Sequence, residues 1–235
     1  MTITAIITAR SGSKGLPNKN IKELGGIPLL GWIVKASKNS SLIDNVILST
    51  DSDEYFKIGK SINQNLIYHK RTPQLAEDVP SELILLDIIE KFNEMFDENS
   101  IVVLLQPTTP FTKSLDIDRC IQKLIDHHGK NTCVSVKKMT EYPEWAIISD
   151  DKIIGKCNQL SGENSIRQNL KDRWIPNGGI WAIQKKFLSK EKKILDEEGT
   201  LIYEMSKLQS IDIDEEEDFL LCQSLVNSGI MSLEK

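Results

Sequence analysis

The chain has 235 residues, 40% of them hydrophobic and 27% charged, with a formal net charge of −5; this is enough for one large domain whose core needs no disulfide or metal to fold. An acidic chain offers no general grip on polymeric nucleic acid or an anionic membrane, since both want a basic face. Four scattered cysteines (Cys120, Cys133, Cys157, Cys222) without a C-x-x-C pair, and three histidines of which His127 and His128 are adjacent, argue against a zinc site and for the reduced thiols of a cytoplasmic protein.

Met1–Ala9 is apolar but meets Arg10 too soon for a leader peptide or a membrane span, and no later apolar run is long enough to cross a bilayer. Ile3–Thr8 predicts a buried strand. Pro28–Ser37 carries Leu29, Leu30, Ile33 and Val34 at helical spacing. Asn45–Thr50 predicts a second strand, closed by Asp51-Ser52-Asp53, a helix N-cap cluster. Leu66–Tyr68 is a short third strand, and Pro80–Phe96 a helix with Leu83, Leu86, Ile89 and Phe92 on one face. Ile101–Leu105 is a fourth strand, Leu115–His127 a helix and Thr132–Val136 a fifth strand. The rhythm breaks over 139–176, a polar, irregular insertion with short pieces at Trp145–Ile148 and Lys152–Ile154. Gly179–Ile183 resumes a strand, Ser210–Ile213 is a last short one, and Glu215–Asn227 closes the chain as a helix with acids in its first turn. Strands apolar on both faces, alternating with helices, predict an α/β fold: a mostly parallel sheet covered on both sides. Residues 1–138 and 177–235 then form the domain, and 139–176 an inserted arm. Such sheets bind ligands beyond the carboxyl ends of their strands, which points to the loops after the first and fourth strands.

The loop after the first strand contains Arg10, Gly12, Ser13, Lys14, Gly15, Lys19 and Asn20. Glycines let backbone N–H groups approach an anion, and Arg and Lys neutralise it, so the loop suits a triphosphate. It matches neither the Walker A nor the dinucleotide fingerprint, and a basic surface loop is the competing reading. Residues 1–35 hold five cations against the single Glu23, whereas 209–218 hold six acids and no cation, a separation that the net charge conceals. In Ser210-Ile211-Asp212-Ile213-Asp214, strand geometry puts Asp212 and Asp214 on one face, where paired carboxylates suit Mg²⁺; an edge strand leading into an acidic helix start is the alternative. Gln106, in the proline-stiffened Gln106-Pro107-Thr108-Thr109-Pro110, offers a rigid amide that could read a sugar. Asn177, in Asn177-Gly178-Gly179, is a weaker candidate of the same kind. The four tryptophans read as core or interface residues.

The segments 9–20, Ser49-Thr50-Asp51-Ser52-Asp53, 106–110, Pro176-Asn177-Gly178 and 210–214 occur in the order seen in the acylneuraminate (CMP-sialic acid) cytidylyltransferases, which the chain resembles over nearly its whole length. The resemblance implies a Rossmann-like nucleotidyltransferase fold, a homodimer and Mg²⁺. It implies the reaction of CTP with a nine-carbon 2-keto sugar acid to give CMP-sugar and pyrophosphate, by in-line attack of the anomeric 2-hydroxyl on the α-phosphate. By the same resemblance Arg10, Lys14, Lys19 and Asn20 bind the nucleotide, and Arg71 and Ser81 add contacts to CTP. Gln106 and Asn177 bind the sugar, with Arg167 reaching the sugar acid from the arm. Asp212 and Asp214 ligate the metal, Arg10 and Lys14 stabilise the charge on the phosphates, and 139–176 is the dimerisation arm. The chain departs from the family at Phe111-Thr112, where Leu-Arg is usual, at Ile175, where many relatives have Arg, and at Trp181, where Tyr is common. These changes surround the sugar pocket, so legionaminic, pseudaminic or another nonulosonic acid fits as well as sialic acid. A 3-deoxy-manno-octulosonate cytidylyltransferase, a nucleotide-sugar glycosyltransferase and a non-catalytic nucleotide-binding regulator are the other classes. The first favours a different N-terminal loop, and the second an Asp-x-Asp nearer mid-chain.

Overall fold

The computed structural model describes residues 1–13, 15–149, 155–157, 166, 168 and 170–234. In chain order the elements are β1 (Ile3–Thr8), β2 (Glu23–Leu24), β3 (Ile27–Pro28), α1 (Leu29–Asn39), β4 (Asn45–Thr50), α2 (Asp53–Ile62), β5 (Ile67–Lys70), α3 (Pro73–Ala76) and α4 (Ser81–Lys91). There follow β6 (Ile101–Leu105), α5 (Ser114–Asp126), β7 (Thr132–Lys138), β8 (Ile147–Ser149), β9 (Gly155–Cys157), β10 (Trp174–Gln184), α6 (Lys185–Glu191), β11 (Leu201–Glu204) and α7 (Glu216–Asn227).

Seven strands form one sheet in the order β11-β7-β10-β6-β1-β4-β5. β1 pairs in parallel with β4 and with β6, β4 with β5, and β11 with β7; β10 alone runs antiparallel, between β6 and β7. Side chains alternate across each strand, so β1 sends Ala5 and Ile7 to the face covered by α1 and α5, and Ile6 to the face covered by α4 and α6. Both faces are therefore dry, as expected of apolar runs without polar alternation. α5 shows the matching period: Ile117, Cys120, Ile121 and Leu124 are its buried stripe. Ser52 caps α2 by accepting the Tyr55 N–H at 3.3 Å, the use predicted for the 51–53 cluster.

Some expectations change. α4 buries Ile84, Leu85, Ile88 and Ile89, while Leu83 is half exposed. The segment Ile84-Leu85-Leu86 is apolar all round, so spacing alone does not fix which side faces the sheet. The predicted strand at Ser210–Ile213 is not one; the segment makes a single backbone bond from within it to the strand-end loop, Ile213 N–H to Thr108 O at 2.8 Å. The edge position belongs to β11. β10 begins at Trp174, inside the stretch predicted as the arm, and pairs Trp174 with Lys138. Asn177-Gly178-Gly179 is thus no turn between elements but a bulge within β10, where the pairing with β7 shifts between Pro176 and Trp181. Within the arm, β8 and β9 form an antiparallel hairpin; the predicted piece Lys152–Ile154 lies outside the described residues. No helix among the described residues is long and apolar enough to cross a membrane.

Candidate functional site

The chain runs from β1 to β4 and β5 on one side and to β6 on the other, so β1 marks the point where strand order reverses. A crevice at the carboxyl ends of β1 and β6 follows from that topology. There the structure has a cavity of about 460 Å³.

Its first wall is the loop after β1. Arg10, Ser13, Lys19 and Asn20 line the cavity. The loop is fastened at several points. Asp51 accepts the Ser11 N–H (2.8 Å) and hydroxyl (2.5 Å), and these bonds outweigh burial to hold its carboxyl below the usual carboxylate range. Asn20, 5% exposed, donates its amide to Arg10 O at 2.9 Å. Leu16 is buried in a small apolar cluster with Leu24, Trp32, Phe111, Ile213 and Phe219. Asn18 takes the left-handed conformation (φ 55°) that lets the chain enter the turn at Lys19–Ile21. The two glycines serve different ends. A Cβ on Gly15 would sit 2.6 Å from the carbonyl oxygen of Asp214, so Gly15 allows the loop to dock on the acidic segment; a Cβ on Gly12 would meet open space. Lys14 lies outside the described residues.

The second wall comes from β5 and the start of α4. Arg71 is 7% exposed; its Nε–H donates to Ser49 Oγ at 2.9 Å and an Nη1–H to Leu75 O at 3.4 Å. Burial above all, with the charge on Arg10 adding to it and Asp51 opposing, pushes the guanidinium down to about 10, so it is still a cation at neutral pH. Ser81, the first residue of α4, also faces the cavity. Asp78 pairs with Arg10 at 2.5 Å from the loop before α4.

The third wall is acidic. Asp212 and Asp214 both line the cavity, with Gln106 beside them. They are brought there not by a strand but because Ile213, buried in the Leu16 cluster and bonded through its N–H to Thr108 O, anchors the segment beside the cavity. Lys19 Nζ donates to Ile213 O at 2.6 Å and to Asp214 Oδ1 at 3.2 Å, which ties the cationic loop to the acidic segment. The Asp212 carboxyl is held above the usual range by burial, against a hydrogen bond from Thr108 and with the repulsion of Asp214 added. Its Oδ1 is buried and has no hydrogen-bond partner among the described residues. A buried carboxylate oxygen without a donor costs stability unless a cation or ligand reaches it.

The bulge in β10 explains Asn177. The residue is 3% exposed and does not line the cavity. Its Oδ1 accepts from Ser135 Oγ (2.6 Å) and Gly179 N–H (3.1 Å), and its Nδ2 donates to Ser210 Oγ (2.8 Å) and Met205 Sδ (3.3 Å). The amide is fully engaged inside the fold and locks the bulge, leaving nothing to offer a sugar. What the bulge brings to the site is Gly178 (φ 79°), where a Cβ would lie 3.1 Å from Asp212 Oδ2 and 3.2 Å from Gln106 Oε1. Thr112 is 3% exposed and packs beneath Gly179. Arg167 lies outside the described residues.

A second cavity, of about 620 Å³, adjoins the first, and Asp212 and Asp214 line both. Its other side carries Lys137, Lys138 and Lys207 with Ile175 and Ile211. These lysines escape a reading of the sequence because nothing in their spacing sets them apart from surface charge.

One cation-walled cavity and one further cavity share the Asp212–Asp214 carboxylate pair. The model of the family described as Cytidylyltransferase matches residues 4–219. The chain belongs to that family. It is similar to the N-acylneuraminate cytidylyltransferase of Streptococcus agalactiae serotype III (strain NEM316), 32% identical over 219 residues, which are 92% of this chain and 51% of that protein. It is 29% identical to N-acylneuraminate cytidylyltransferase A of Danio rerio over 229 residues, 95% of this chain and 50% of that protein. The chain thus spans about half the length of these curated relatives. The post-translational flagellin modification protein B of Campylobacter coli is matched over 94% of its own length, at 25% identity and 95% of this chain. Among solved structures, a CMP:2-keto-3-deoxy-manno-octonic acid synthetase complexed with CTP superposes with a TM-score of 0.71 at 12% identity, covering 97% of this chain and 100% of that one. At that identity the likeness shows the shared fold. The family is one of nucleotidyltransferase enzymes, and the mostly parallel sheet is a fold shared with solved cytidylyltransferases.

Proposed function

We propose that the chain transfers the cytidylyl group of CTP to a nine-carbon 2-keto sugar acid of the nonulosonic type, releasing pyrophosphate, as a Mg²⁺-dependent homodimer. The observation that carries this reading is the position of Asp212 and Asp214 on the rim shared by two cavities, one walled by Arg10, Lys19 and Arg71 and the other by Lys137, Lys138 and Lys207. In the first, the guanidinium groups and Lys19 face the triphosphate, and Ser81 and Gln106 add polar contacts. In the second, the lysines suit the carboxylate of a sugar acid. A sugar held there has its anomeric hydroxyl directed toward the α-phosphate, and the cations around the triphosphate stabilise the charge that develops on the leaving pyrophosphate.

Asp212 and Asp214 fit Mg²⁺. Both are hard oxygen donors that line the cavity, the Oδ1 of Asp212 has no hydrogen-bond partner among the described residues, and Mg²⁺ is usually held by one or two carboxylates together with substrate phosphates. The metal would supply charge neutralisation at the phosphates. The homodimer is supported by the exposed apolar residues Ile147, Ile166, Trp174 and Ile175 in and beside the arm.

The test is pyrophosphate release from CTP and Mg²⁺ with a panel of sialic, legionaminic, pseudaminic and 3-deoxy-manno-octulosonic acids. A nonulosonic acid is expected to give the highest kcat/KM. Highest turnover with the eight-carbon acid, or none with any acid, would overturn the reading. Asp212→Ala is expected to abolish release with the fold intact, and full activity in that variant removes the metal assignment.

A further inference from the structure

Behind the nucleotide cavity lies a set of buried polar residues that the reaction as described does not use. Ser49, on β4 next to the edge strand β5, is fully buried, and His69 on β5 is 1% exposed. His69 Nδ1 lies 3.0 Å from Ser49 Oγ, and His69 Nε2 lies 2.7 Å from Asp87 Oδ2 on α4. Ser49 Oγ in turn accepts the Nε–H of Arg71 at 2.9 Å. The carbonyl of Ser49 accepts the Ala9 N–H at 2.9 Å, so the same residue also holds the base of the cationic loop.

For a neutral imidazole the donors and acceptors fall in one order. Arg71 Nε–H can only donate, so Ser49 Oγ accepts there and has its own proton free for Nδ1 of the ring. A contact of 2.7 Å between Nε2 and a carboxylate oxygen requires the ring proton on Nε2. Lys91 Nζ, 3.4 Å from Nε2, therefore serves Asp87, whose Oδ2 it approaches at 3.0 Å. Burial, together with the charges on Lys91 and Arg71, holds the imidazole below its ordinary value against the pull of Asp87, which keeps the ring neutral.

We propose that Ser49, His69 and Asp87 form a positioning relay that fixes the Arg71 guanidinium in the nucleotide cavity. Nε is consumed by the relay, and the Nη groups are left at the cavity wall at a set angle. An arginine side chain that must be ordered on binding loses rotamer freedom at that moment; here the loss is taken during folding, which favours nucleotide binding. A buried histidine kept only for packing would have no reason to end on a cavity residue. The inference rests on the reading of that cavity as a CTP site.

Two measurements keep the relay and that reading separate. In the first, nitrogen-15 spectra of the unliganded protein are expected to show one neutral histidine with its proton on Nε2 and a slowly exchanging Arg Nε–H, the latter lost in Ser49→Ala. A proton on Nδ1 of His69, or an Arg71 Nε–H exchanging as fast as that of a surface arginine, overturns the relay whatever the cavity binds. In the second, titration calorimetry with CTP and Mg²⁺, Ser49→Ala is expected to raise Kd about tenfold, the size of one lost hydrogen bond to a charged group. His69→Leu should match it. His69→Asn, which keeps an acceptor near the place of Nδ1, should recover most of the affinity. Equal Kd in wild type, Ser49→Ala and His69→Asn, with only thermal stability changed, overturns the relay. If His69→Leu does not fold, the other two variants decide. Absence of CTP binding in the wild type refutes the cavity reading, and the spectra still judge the relay.

Discussion

Gly178 shows how much of the site depends on one missing methyl group. Its φ of 79° costs an L-residue roughly 1–2 kcal/mol, and a Cβ there would press on Asp212 Oδ2 and Gln106 Oε1 at 3.1 and 3.2 Å. Gly178→Ala is therefore expected to lower Tm by a few degrees, since a domain of this size loses about 2–4 °C per kcal/mol. It should also reduce kcat/KM for pyrophosphate release at least about tenfold, because a small displacement of the Asp212 carboxylate misaligns the reacting groups. Unchanged turnover in Gly178→Ala would show that Asp212 and Gln106 need not hold these positions. Asn177 illustrates what the sequence does not tell at this scale. An Asn-Gly-Gly string reads as a flexed polar turn, but the shift of register against β7 turns the amide inward onto Ser135 and Ser210. The signal that separates a bulge from a turn is the pairing partner, which is far away in the chain. Ser49 and His69 are silent for a similar reason: no spacing rule links the two, and only the parallel pairing of β4 with β5 sets them side by side.

At the scale of elements, Asp118 on α5 binds the connection between α1 and β4. Its carboxylate accepts from the hydroxyls of Ser40 (2.5 Å) and Ser41 (2.7 Å) and from the backbone N–H of Ser41 (3.0 Å) and Leu42 (3.3 Å). Burial works to raise the carboxyl pKa, but these four donors together hold it below the usual range. Asp118→Ala is expected to cost about 1–3 kcal/mol, because it strands donors that are partly shielded from water. The sign of the pH effect follows from the direction of the shift. The folded state binds the proton more weakly than the unfolded chain, so the stabilisation is present above the unfolded value of 3.8 and is lost as pH falls below it. Urea titrations at neutral pH and at pH values under 3.8 should show the difference between wild type and variant shrinking in acid. A constant difference would place the effect in packing alone. Elements with a strong pattern, such as β1, β4, β6 and α5, are legible from apolar runs and helical spacing. What misleads is phase and partner. The buried face of α4 differs from the predicted one because the helix is apolar on more than one side. The segment 210–213 reads as a strand because Ile211 and Ile213 alternate with acids, although β11 holds the sheet edge.

At the scale of the whole molecule, residues of one chain line both cavities, and the proposed homodimer would cover exposed apolar residues of the stretch 139–176. Ile147 is 62% exposed, Ile166 50%, Ile175 42% and Trp174 38%. Exposed apolar side chains gain by being covered, and a stable symmetric interface needs about 800 Å² from each protomer. A second exposed pair, Leu220 and Leu221 on α7, lies on a different element and provides a control. Ile147→Asp places a charge on the β8–β9 hairpin and is expected to convert a dimer to a monomer in sedimentation velocity at low micromolar concentration, because an unpaired charge in an apolar interface is strongly disfavoured. Leu220→Asp should leave the dimer intact. The two substrates should respond differently. The cavity proposed for CTP draws on the chain around β1, β5, α4 and the 211–214 segment, all remote in sequence from the hairpin, so CTP affinity should be unchanged in Ile147→Asp. The second cavity is lined by Ile175, which stands beside Trp174 at the start of β10, so loss of the partner should raise KM for the sugar acid. A dimer that persists in Ile147→Asp but dissociates in Leu220→Asp would move the interface to α7, whose Leu221 also lines the second cavity.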